Sequence, residues 1–567
     1  MTEYLVEDSL ATILIKNEEY ELSKIYKNLL RNIKKAQNDP RVKSIVIIGQ
    51  KSFTNKYLPL KLYDEDHQIC LIEVLSEIEN SSKPIVAAIE NFCIGSGLEI
   101  AISCHYRISH YNSWFSFPEV NLGIIPQATG TQRFPRLSSL RFALDVIPSG
   151  RFFNAEEALK NNIVDKIIDS DMWMEAKKFA KQVEGKSLKE RRTSKRQVID
   201  RNKLDELILS ANEKVLDYPY EKASKYGIQA VAGSVKPFDQ GQMIERIISF
   251  RLFSSSQSKG LRYSDFIERS ASKWQIPGGA DWMNTKEDKI NSIAIIGYNK
   301  RAIEIALGFV KSSISVMVAS LTKRQRFIIG FQIFEFFHLS RLLQIVYCSE
   351  TCPKAISTVL EAGKILNKVP LLLKSPIQTT NHSLMNSVKH LLYPDYANGK
   401  YEKNDDLTRD LYKDSRKVMI CKYSPFSDNT SSYYLELEKL LDIANDTDKC
   451  QKTRLMKEVP FHKELAKWYL YNSINESFLA LENGLIEKPE DIDLILLFGF
   501  NFPRQIGGLM KYADEKGPRK IYDEICKYHA SFNNQPSLKP SRLLKRIALE
   551  NIPMNLWSAT ANSISKL

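Results

Sequence analysis

Near residue 90 a buried strand leads through a glycine-rich turn into a helix, and this unit sets the fold class of the N-terminal third. Residues 84–89 (PIVAAI) have the continuous apolar character of a strand that is buried on both faces. The turn at 95–97 (GSG) follows, and a helix is predicted over 98–104. Because glycine is favoured where backbone must approach a ligand closely, the turn indicates a binding or catalytic site.

Similar units stand on either side of this one. Residues 44–49 (SIVIIG) are predicted to form a second buried strand, and residues 21–36 have the apolar spacing of a helix. Repeated strand–turn–helix units predict an α/β architecture. From 155 to about 285 the pattern is mostly helical, and residues 459–567 have the spacing of amphipathic helices.

Composition excludes several classes of protein. The net charge is +13, but no zinc-knuckle spacing, aromatic RNA-binding signature or concentrated basic arm accompanies it, so we expect no nucleic acid partner. The excess of positive charge is consistent with a substrate that carries phosphates, or with an ordinary solvated surface. Eight cysteines in 567 residues indicate neither a disulfide framework nor a metal site. The densest apolar stretch, 327–337, is interrupted by polar residues, so no membrane span is expected.

Two glutamates stand where carboxylate chemistry is possible. Glu99 lies in the first turn of the predicted helix, where backbone N–H groups are free to bind a developing enolate oxygen. Pro118 excludes a helix interior and predicts a turn that projects Glu119. Water addition across a double bond needs one group that takes a proton from water and another that delivers a proton to carbon. By composition and spacing alone, both residues could equally be surface glutamates.

Residues 83–168 resemble the enoyl-CoA hydratase/isomerase (crotonase) family. The family's segments occur in their usual order: 83–89 (KPIVAAI), 93–99 (CIGSGLE), 105–108 (HYRI), 117–126 (FPEVNLGIIP), 130–133 (GTQR), 149–151 (SGR), 155–159 (AEEAL) and 163–165 (IVD). The resemblance implies an acyl-CoA thioester substrate and no cofactor for hydration or isomerisation.

The resemblance also assigns roles to residues. Glu99 would position and activate water, and Glu119 would be the acid or base at the α-carbon, able to move a proton between C2 and C4 in isomerisation. Ser96 stands where the family has a glycine whose N–H forms half of the oxyanion hole. Asn55 is aligned with the donor of the other half, and Lys56 replaces a glycine there. Losing one such donor costs on the order of 100-fold or more in rate.

The whole chain is similar to the multifunctional enzymes of type 1, peroxisomal bifunctional enzymes that join a crotonase domain to an NAD-dependent 3-hydroxyacyl-CoA dehydrogenase. The shared segments are an inter-domain stretch at 266–280 and a C-terminal part at 474–508. This similarity predicts a second activity and an NAD site.

The dehydrogenase residues themselves depart from the family's pattern. A strand at 293–297 should lead into a Gly-x-Gly-x-x-Gly turn, but only Gly297 remains, and Asn299 replaces the second glycine. The family's acidic residue at the ribose is aligned with Ser320, its catalytic His with Gln332, and its orienting Glu with Gln344. Glutamine does not titrate near neutral pH. We therefore predict that NAD binding and dehydrogenase activity are lost.

Most of one nucleotide-binding half is also missing between Ser320 and Gln332. A coding sequence that lacks exons would explain the missing length but not the substitutions. The alternative to an active hydratase is a non-catalytic acyl-CoA-binding or scaffolding relative, which the altered loop at 53–58 favours.

The predicted fold is α/β at the N-terminus, as a crotonase-type spiral, followed by a truncated Rossmann-like domain and an all-α C-terminal region. The predicted boundaries are a crotonase domain at 1–190, a helical linker at 191–288, a truncated NAD-binding-like domain at 289–375, a degenerate connector at 376–455 and a helical dehydrogenase-like domain at 456–567.

The final tripeptide, Ser565-Lys566-Leu567, is the address that the peroxisomal import receptor reads. We therefore expect the protein in the peroxisomal matrix, with the import receptor as a partner. We expect it to act as a monomer.

Overall fold

The structure is a computed structural model, and it describes two compact units of the chain, Met1–Ser258 and Lys259–Leu567. The division falls inside the predicted helical linker. The described residues are 2–16, 22–50, 52–54, 65–215, 222–271, 275–276, 280–281, 292–296, 315–319, 330–332, 341–347, 353–374, 460–500, 502–531 and 539–564.

A six-stranded sheet forms the centre of the first unit. Its strands, in spatial order, are β1 (Thr2–Glu7), β2 (Leu10–Ile15), β3 (Ser44–Gly49), β4 (Ile85–Ile89), β6 (Tyr106–His110) and β9 (Lys166–Ile168). Only the β1–β2 pair is antiparallel. Every residue of β3 and β4 is buried, as predicted for parallel strands that are covered on both faces.

A second, three-stranded sheet lies beside the glycine-rich turn. It consists of β5 (Phe92–Ile94), β7 (Trp114–Ser116) and β8 (Phe153–Asn154). β5 pairs parallel with β7, and β7 pairs antiparallel with β8. The Gly95 N–H donates to the Ser116 carbonyl at 3.0 Å, so this sheet leads directly into the turn.

Helices of the first unit pack on both faces of the large sheet and on one another. They are α1 (Leu22–Asn38), α2 (Glu65–Asn80), α3 (Ser96–Ser103), α4 (Gly130–Leu137), α5 (Leu140–Ser149), α6 (Ala155–Lys160), α7 (Met172–Gln182), α8 (Leu204–Val215), α9 (Lys222–Ala232) and α10 (Phe238–Phe253). Short 3-10 helices occur at Pro118–Leu122, Lys189–Arg191, Thr193–Lys195, Arg201–Lys203 and Gly233–Val235. One core lies between α1, α2 and α3 and the sheet, and a second core lies under α7.

Helices α8, α9 and α10 pack onto the first unit although they follow the predicted crotonase boundary at 190. Ile228 and Val231 of α9 join the main core. Ile248 and Leu252 of α10 pack with Ile125 in a third cluster. The helical segment up to 258 is therefore an integral layer of the first unit.

The second unit combines short strands with a helical C-terminal part. Its strands are β10 (Gln275–Ile276), β11 (Ala280–Asp281), β12 (Ser292–Ile296), β13 (Ser315–Ala319), β14 (Gly330–Gln332), β15 (Leu342–Tyr347) and β16 (Val369–Lys374). Its helices are Ser256–Ser270, which begins just before the unit, Pro353–Ile365, Pro460–Glu482, Pro489–Leu494, Leu509–Lys516, Pro518–Ser531, Arg542–Glu550 and Trp557–Ile564, with a π-helical turn at Ile495–Gly499 and a 3-10 turn at Met554–Leu556.

Asp493 anchors the helical part of the second unit. Its carboxylate accepts the N–H groups of Met510 and Lys511, at 2.8 and 3.0 Å, and the Tyr263 hydroxyl at 2.9 Å. Gly508, with φ of 106°, has no room for a Cβ beside this carboxylate. Asp493 thus fixes the start of helix Leu509–Lys516 and joins it to the helix that contains Tyr263.

Within the described ranges, no helix combines the length and the apolar character that crossing a bilayer would require. Across the same residues, no cluster of three or more His, Cys, Asp or Glu side chains has the arrangement of a metal site.

Candidate active site

The glycine-rich turn brings the start of α3 next to the loop that follows β3. Gly95 has φ of 55°, and α3 begins at Ser96, slightly earlier than predicted. The N–H groups of a first helical turn have no acceptor within the helix, so those near Ser96 can serve a ligand. The half-buried Ser96 side chain stands at this helix start.

Side chains of the preceding loop hold it against β5. The Thr54 hydroxyl donates to the Phe92 carbonyl at 3.1 Å and accepts the Ile94 N–H at 3.0 Å. Ser52 accepts the Phe92 N–H through its hydroxyl at 3.0 Å. A Cβ at Gly97 would overlap the Thr54 methyl, so glycine is required for this close approach. Residues 52–54 therefore end beside the turn at 95–97.

Three residues or segments that were predicted to act lie outside the described residues. They are Asn55, the aligned donor of the second oxyanion N–H; Gly297, the remaining glycine of the nucleotide turn; and the tripeptide Ser565-Lys566-Leu567.

Glu99 is buried and is held by backbone donors. Its Oε1 accepts the N–H groups of Ala128 and Gly130, both at 2.8 Å. A Cβ at Gly130 would lie 2.8 Å from the same oxygen, so the absence of a side chain permits this contact. Burial raises the pKa of Glu99, the charges of Glu245 and Glu119 raise it further, and the two N–H donors oppose the rise.

Glu119 is buried without the same support. It follows Pro118 at the start of the 3-10 helix Pro118–Leu122; the sequence predicted a turn here, and the proline occupies the first helical position, where its missing N–H costs nothing. Among the described residues, its Oε2 is buried and has no hydrogen-bond partner. Burial, with a smaller contribution from the Glu245 charge, raises the pKa of Glu119 to about 8, which its own backbone N–H only partly offsets. Glu119 is therefore mostly protonated at neutral pH.

A third buried carboxylate, Glu245 of α10, was not predicted. Its Oε1 accepts the Thr129 N–H at 2.7 Å, and its Oε2 accepts the Thr131 N–H at 3.0 Å and the Thr131 hydroxyl. Burial raises the pKa of Glu245 to about 7, although these donors and Arg133 lower it. The sequence does contain a signal, because Glu245 lies on the buried stripe of α10 with Gly241, Ile248 and Leu252.

Several family-motif residues stabilise the fold and do not face the glutamates. The His105 Nδ1 accepts the Ile85 N–H at 3.1 Å, and burial lowers the pKa of His105 to about 4, so it is neutral. The buried Arg107 guanidinium donates to the carbonyls of Ile163 and Cys104. Asp165 accepts the Arg107 N–H at 2.8 Å.

Arg133 connects the glutamate site to α2. Its guanidinium lies 2.7 Å from Glu79, which is also buried, and its Nε donates to the Thr129 hydroxyl at 2.8 Å. Glu79 in turn accepts the Ser194 N–H at 2.7 Å. A buried cation that is paired and hydrogen-bonded in this way fixes the segment that contains Thr129.

In the second unit, the two positions aligned with the dehydrogenase pair are neighbours. The antiparallel register of β14 and β15 places Gln332 opposite Gln344. Strands β12 and β13 pair parallel in register, from Ser292 with Ser315 to Ile296 with Ala319. The nucleotide turn after β12 lies outside the described residues.

Residues 21–240 match the family model described as Enoyl-CoA hydratase/isomerase. The chain is 25% identical to the "Peroxisomal bifunctional enzyme" of Homo sapiens, with 100% of both chains covered. It is 23% identical to the "Peroxisomal fatty acid beta-oxidation multifunctional protein AIM1" of Arabidopsis thaliana, with 99% of this chain and 98% of the relative covered. A solved enoyl-CoA hydratase from Bacillus halodurans is 17% identical with a TM-score of 0.33, and the match covers 46% of this chain and 98% of that one.

The comparisons bear on the position of the glutamates and on the length of the chain. Glu99 and Glu119 lie within the matched range, whereas Glu245 lies just beyond its end. The alignment with the human relative extends over 722 positions, and this chain has 567 residues, so the relative contains segments that this chain lacks.

Proposed function

We propose that this chain, whose residues 21–240 form an enoyl-CoA hydratase/isomerase domain with the crotonase fold, adds water to trans-2-enoyl-CoA in peroxisomal fatty-acid β-oxidation. The observation that carries the proposal is the pair of buried glutamates: Glu99 lies in the first turn of α3, and the charge of Glu119 is close enough to raise the pKa of Glu99. The names of its relatives support both the pathway and the compartment.

Glu99 is the base in this proposal. Burial and the charges of Glu245 and Glu119 raise the pKa of Glu99, and the N–H groups of Ala128 and Gly130 oppose this rise and favour the ionised form that can accept a proton from water. The water oxygen forms a bond to C3 of the enoyl group while its proton passes to Glu99. The electron pair of the C2–C3 double bond moves towards the thioester carbonyl and produces an enolate.

Glu119 is the acid. With a pKa of about 8 it carries a proton at neutral pH, and its Oε2, which has no hydrogen-bond partner among the described residues, is available to the substrate. Delivery of this proton to C2 of the enolate completes 3-hydroxyacyl-CoA. The proton gained by Glu99 and the one lost by Glu119 leave a net addition of one water, and exchange with solvent restores both groups.

The enolate oxygen is stabilised by backbone N–H groups at the start of α3. Ser96 supplies one donor through its backbone, so a serine side chain at this position is compatible with the role. Thr54 and Ser52 hold the loop that leads to Asn55 against β5, which supports a second donor from that loop.

The same site suits isomerisation of 3-enoyl-CoA to 2-enoyl-CoA. An ionised Glu119 would remove a proton from C2 and return it to C4. Isomerisation therefore begins with ionised Glu119, whereas hydration begins with protonated Glu119.

We further propose that the second unit does not oxidise 3-hydroxyacyl-CoA with NAD. The support is in the sequence: Asn299 in the nucleotide turn, Ser320 at the ribose position, and glutamines at 332 and 344. The register that sets Gln332 opposite Gln344 is consistent with their alignment to a pair of residues that act together. We also propose a truncated Rossmann-like middle, an all-α C-terminal region and import through the peroxisomal receptor.

The test uses the full-length chain with three substrates: trans-2-enoyl-CoA, 3-enoyl-CoA, and 3-hydroxyacyl-CoA with NAD. We expect ultraviolet absorbance to be lost with the first, 2-enoyl-CoA to form from the second, and no NADH from the third. Binding of saturated acyl-CoA without turnover of any substrate would indicate the non-catalytic alternative. Micromolar NAD binding by calorimetry would overturn the proposal for the second unit.

A further inference from the structure

Four successive backbone N–H groups of the segment 128–131 are shared between two buried glutamates. The N–H groups of Ala128 and Gly130 donate to Glu99, and those of Thr129 and Thr131 donate to Glu245. The donor–acceptor distances lie between 2.7 and 3.0 Å. A change in the backbone conformation of the segment would therefore break the hydrogen bonds of both carboxylates.

The segment adopts a conformation that needs such support. Thr129 has φ of 75° and ψ of 9°, in the left-handed region that a β-branched residue rarely occupies. Strained backbone persists only where surrounding contacts over-determine it. Glu245 provides two of those contacts directly, and the Thr131 hydroxyl adds a third hydrogen bond to the same carboxylate.

The charge of Glu245 faces both glutamates of the candidate active site. It raises the pKa of Glu99 and of Glu119, and Arg133 is the cation that lowers its own pKa. The described charged groups that face Glu245 are therefore Glu99 of α3, Glu119 of the 3-10 helix and Arg133 of α4. Glu245 itself lies in α10 (Phe238–Phe253), five residues beyond the end of the matched family range at 240.

We propose that Glu245 is a positioning residue of the hydratase site, which fixes the segment 128–131 so that Ala128 and Gly130 hold the Glu99 carboxylate. The inference rests on the proposed function for its effect on turnover. The geometric part does not depend on turnover, because the same hydrogen bonds control how the segment exchanges its amide protons. Helix α10 thus contributes to the active site from outside the predicted 1–190 domain.

The first variant is Glu245→Gln, which preserves volume. One amide oxygen could still accept an N–H, but the amide NH₂ would face the remaining donors of Thr129 or Thr131, and two donors cannot satisfy each other. Asp493→Asn is the matched control, because Asp493 also accepts two N–H groups and a hydroxyl while buried in the second unit. Both variants replace a buried carboxylate of the same hydrogen-bond pattern.

Hydrogen–deuterium exchange of the full-length chain tests the geometric part. In Glu245→Gln we expect faster exchange across 128–131, including Ala128 and Gly130, which Glu245 does not contact. Asp493→Asn should leave this peptide protected. Unchanged protection of Ala128 and Gly130 in Glu245→Gln would overturn the proposal, whether or not the wild type hydrates enoyl-CoA.

Kinetics test the catalytic part. Glu245→Gln should lower kcat for hydration on the order of 10-fold to 100-fold and change the affinity for a saturated acyl-CoA less than about 2-fold. Because the Glu245 charge raises the pKa of Glu119, its loss should also move the alkaline limb of the pH–rate profile to lower pH. A purely structural role of Glu245 predicts neither a drop in kcat at nearly unchanged acyl-CoA affinity nor a move of the alkaline limb.

If Glu245→Gln fails to fold, a pair of substitutions at Thr131 tests the same proposal. Thr131→Val deletes only the hydroxyl that donates to Glu245, and Thr131→Ser keeps it. Faster exchange at 128–131 in the first and not in the second would support the proposal. Identical exchange and kcat in both would overturn it. A wild type without turnover would contradict the proposed function and leave the exchange results to decide the role of Glu245.

Discussion

Glu99 and Glu245 accept alternate N–H groups of the same four-residue segment, 128–131, although 146 positions of sequence separate the two glutamates. Glu99 takes the first and third donors with one oxygen, and Glu245 takes the second and fourth with two oxygens. The protonation and position of each carboxylate are therefore linked to the other. These hydrogen bonds connect α3 and α10 through the segment at the start of α4, around the candidate active site.

The pH dependence of turnover should distinguish hydration from isomerisation. Hydration needs protonated Glu119, so kcat/KM should fall as pH rises through about 8, the pKa of Glu119. Isomerisation begins with ionised Glu119, so its kcat/KM should rise through the same pH. Both profiles are measured between pH 6 and about 9.5. Hydration that becomes faster across this range would contradict the assignment of Glu119 as the acid.

Glu119→Gln should stabilise the first unit at alkaline pH. Burial raises the folded-state pKa of Glu119 from 4.5 to about 8, so the folded state binds the proton more tightly than the unfolded chain. That contribution is fully present below pH 4.5 and is lost as pH rises through 8. The neutral amide avoids the loss, so we expect a gain of a few kcal/mol, on the order of 1–3, at pH 8.5.

Urea unfolding at pH 5.5 and 8.5 measures this gain. The difference between Glu119→Gln and wild type in the free energy of unfolding should be clearly larger at pH 8.5 than at pH 5.5, where only part of the contribution has been lost. Glu175→Gln, which removes an ion-paired carboxylate near the surface, is the control and should show no such gain. An equal effect of Glu119→Gln at both pH values would argue against a raised pKa.

Gly97→Ala should impair the oxyanion side of the site. The new Cβ would overlap the Thr54 methyl and displace the loop at 52–54 from the helix start. We expect kcat to fall on the order of 10-fold to 100-fold. Thr54→Ser removes the methyl but keeps the hydroxyl that binds Phe92 and Ile94, so it should restore part of the activity in the double variant.

The control for that prediction is Gly227→Ala. A Cβ there would make only ordinary contacts, the nearest at 3.6 Å, and alanine favours a helix interior more than glycine does. Normal activity of Gly227→Ala is expected. No rescue in the Gly97→Ala, Thr54→Ser pair would show that Thr54 is not the source of the damage.

Gly508→Ala should destabilise the second unit and leave hydration at low temperature unchanged. The substitution places a Cβ on the Asp493 carboxylate at a residue with φ of 106°, which should cost about 2–4 kcal/mol. Gly517→Ala, with φ of 90° and nothing within 4 Å, isolates the backbone cost alone. Calorimetry of both variants should show the larger loss in Gly508→Ala; equal losses would mean that the overlap with Asp493 is relieved.

The sequence could identify the central strands, the glycine turn and both family glutamates, because these features are local. The turn at 95–97 and the helix after it follow from apolar runs and glycine placement, and Glu99 and Glu119 stand within or beside them. The family motifs did not distinguish residues that could act on a substrate from residues that stabilise the fold. His105 and Arg107 appear in the family pattern, yet their hydrogen bonds hold strands together.

Glu245 could not be placed from the sequence because its contacts are long-range. It meets Thr129 and Thr131 more than 110 residues away in sequence, through packing of α10 on α4. A glutamate on an apolar helix stripe indicates burial with a partner but does not identify the partner. For the same reason the predicted boundary at 190 excluded helices that complete the first unit.

Steady-state hydration of trans-2-enoyl-CoA by the full-length protein is the direct test of Glu99 as the base and Glu119 as the acid, with Glu99→Gln, Glu119→Gln and Glu175→Gln measured in parallel. We expect turnover by the wild type and by Glu175→Gln, and a loss on the order of 100-fold or more in Glu99→Gln and in Glu119→Gln. Turnover by Glu119→Gln equal to that of the wild type, or no turnover by the wild type, would contradict these roles.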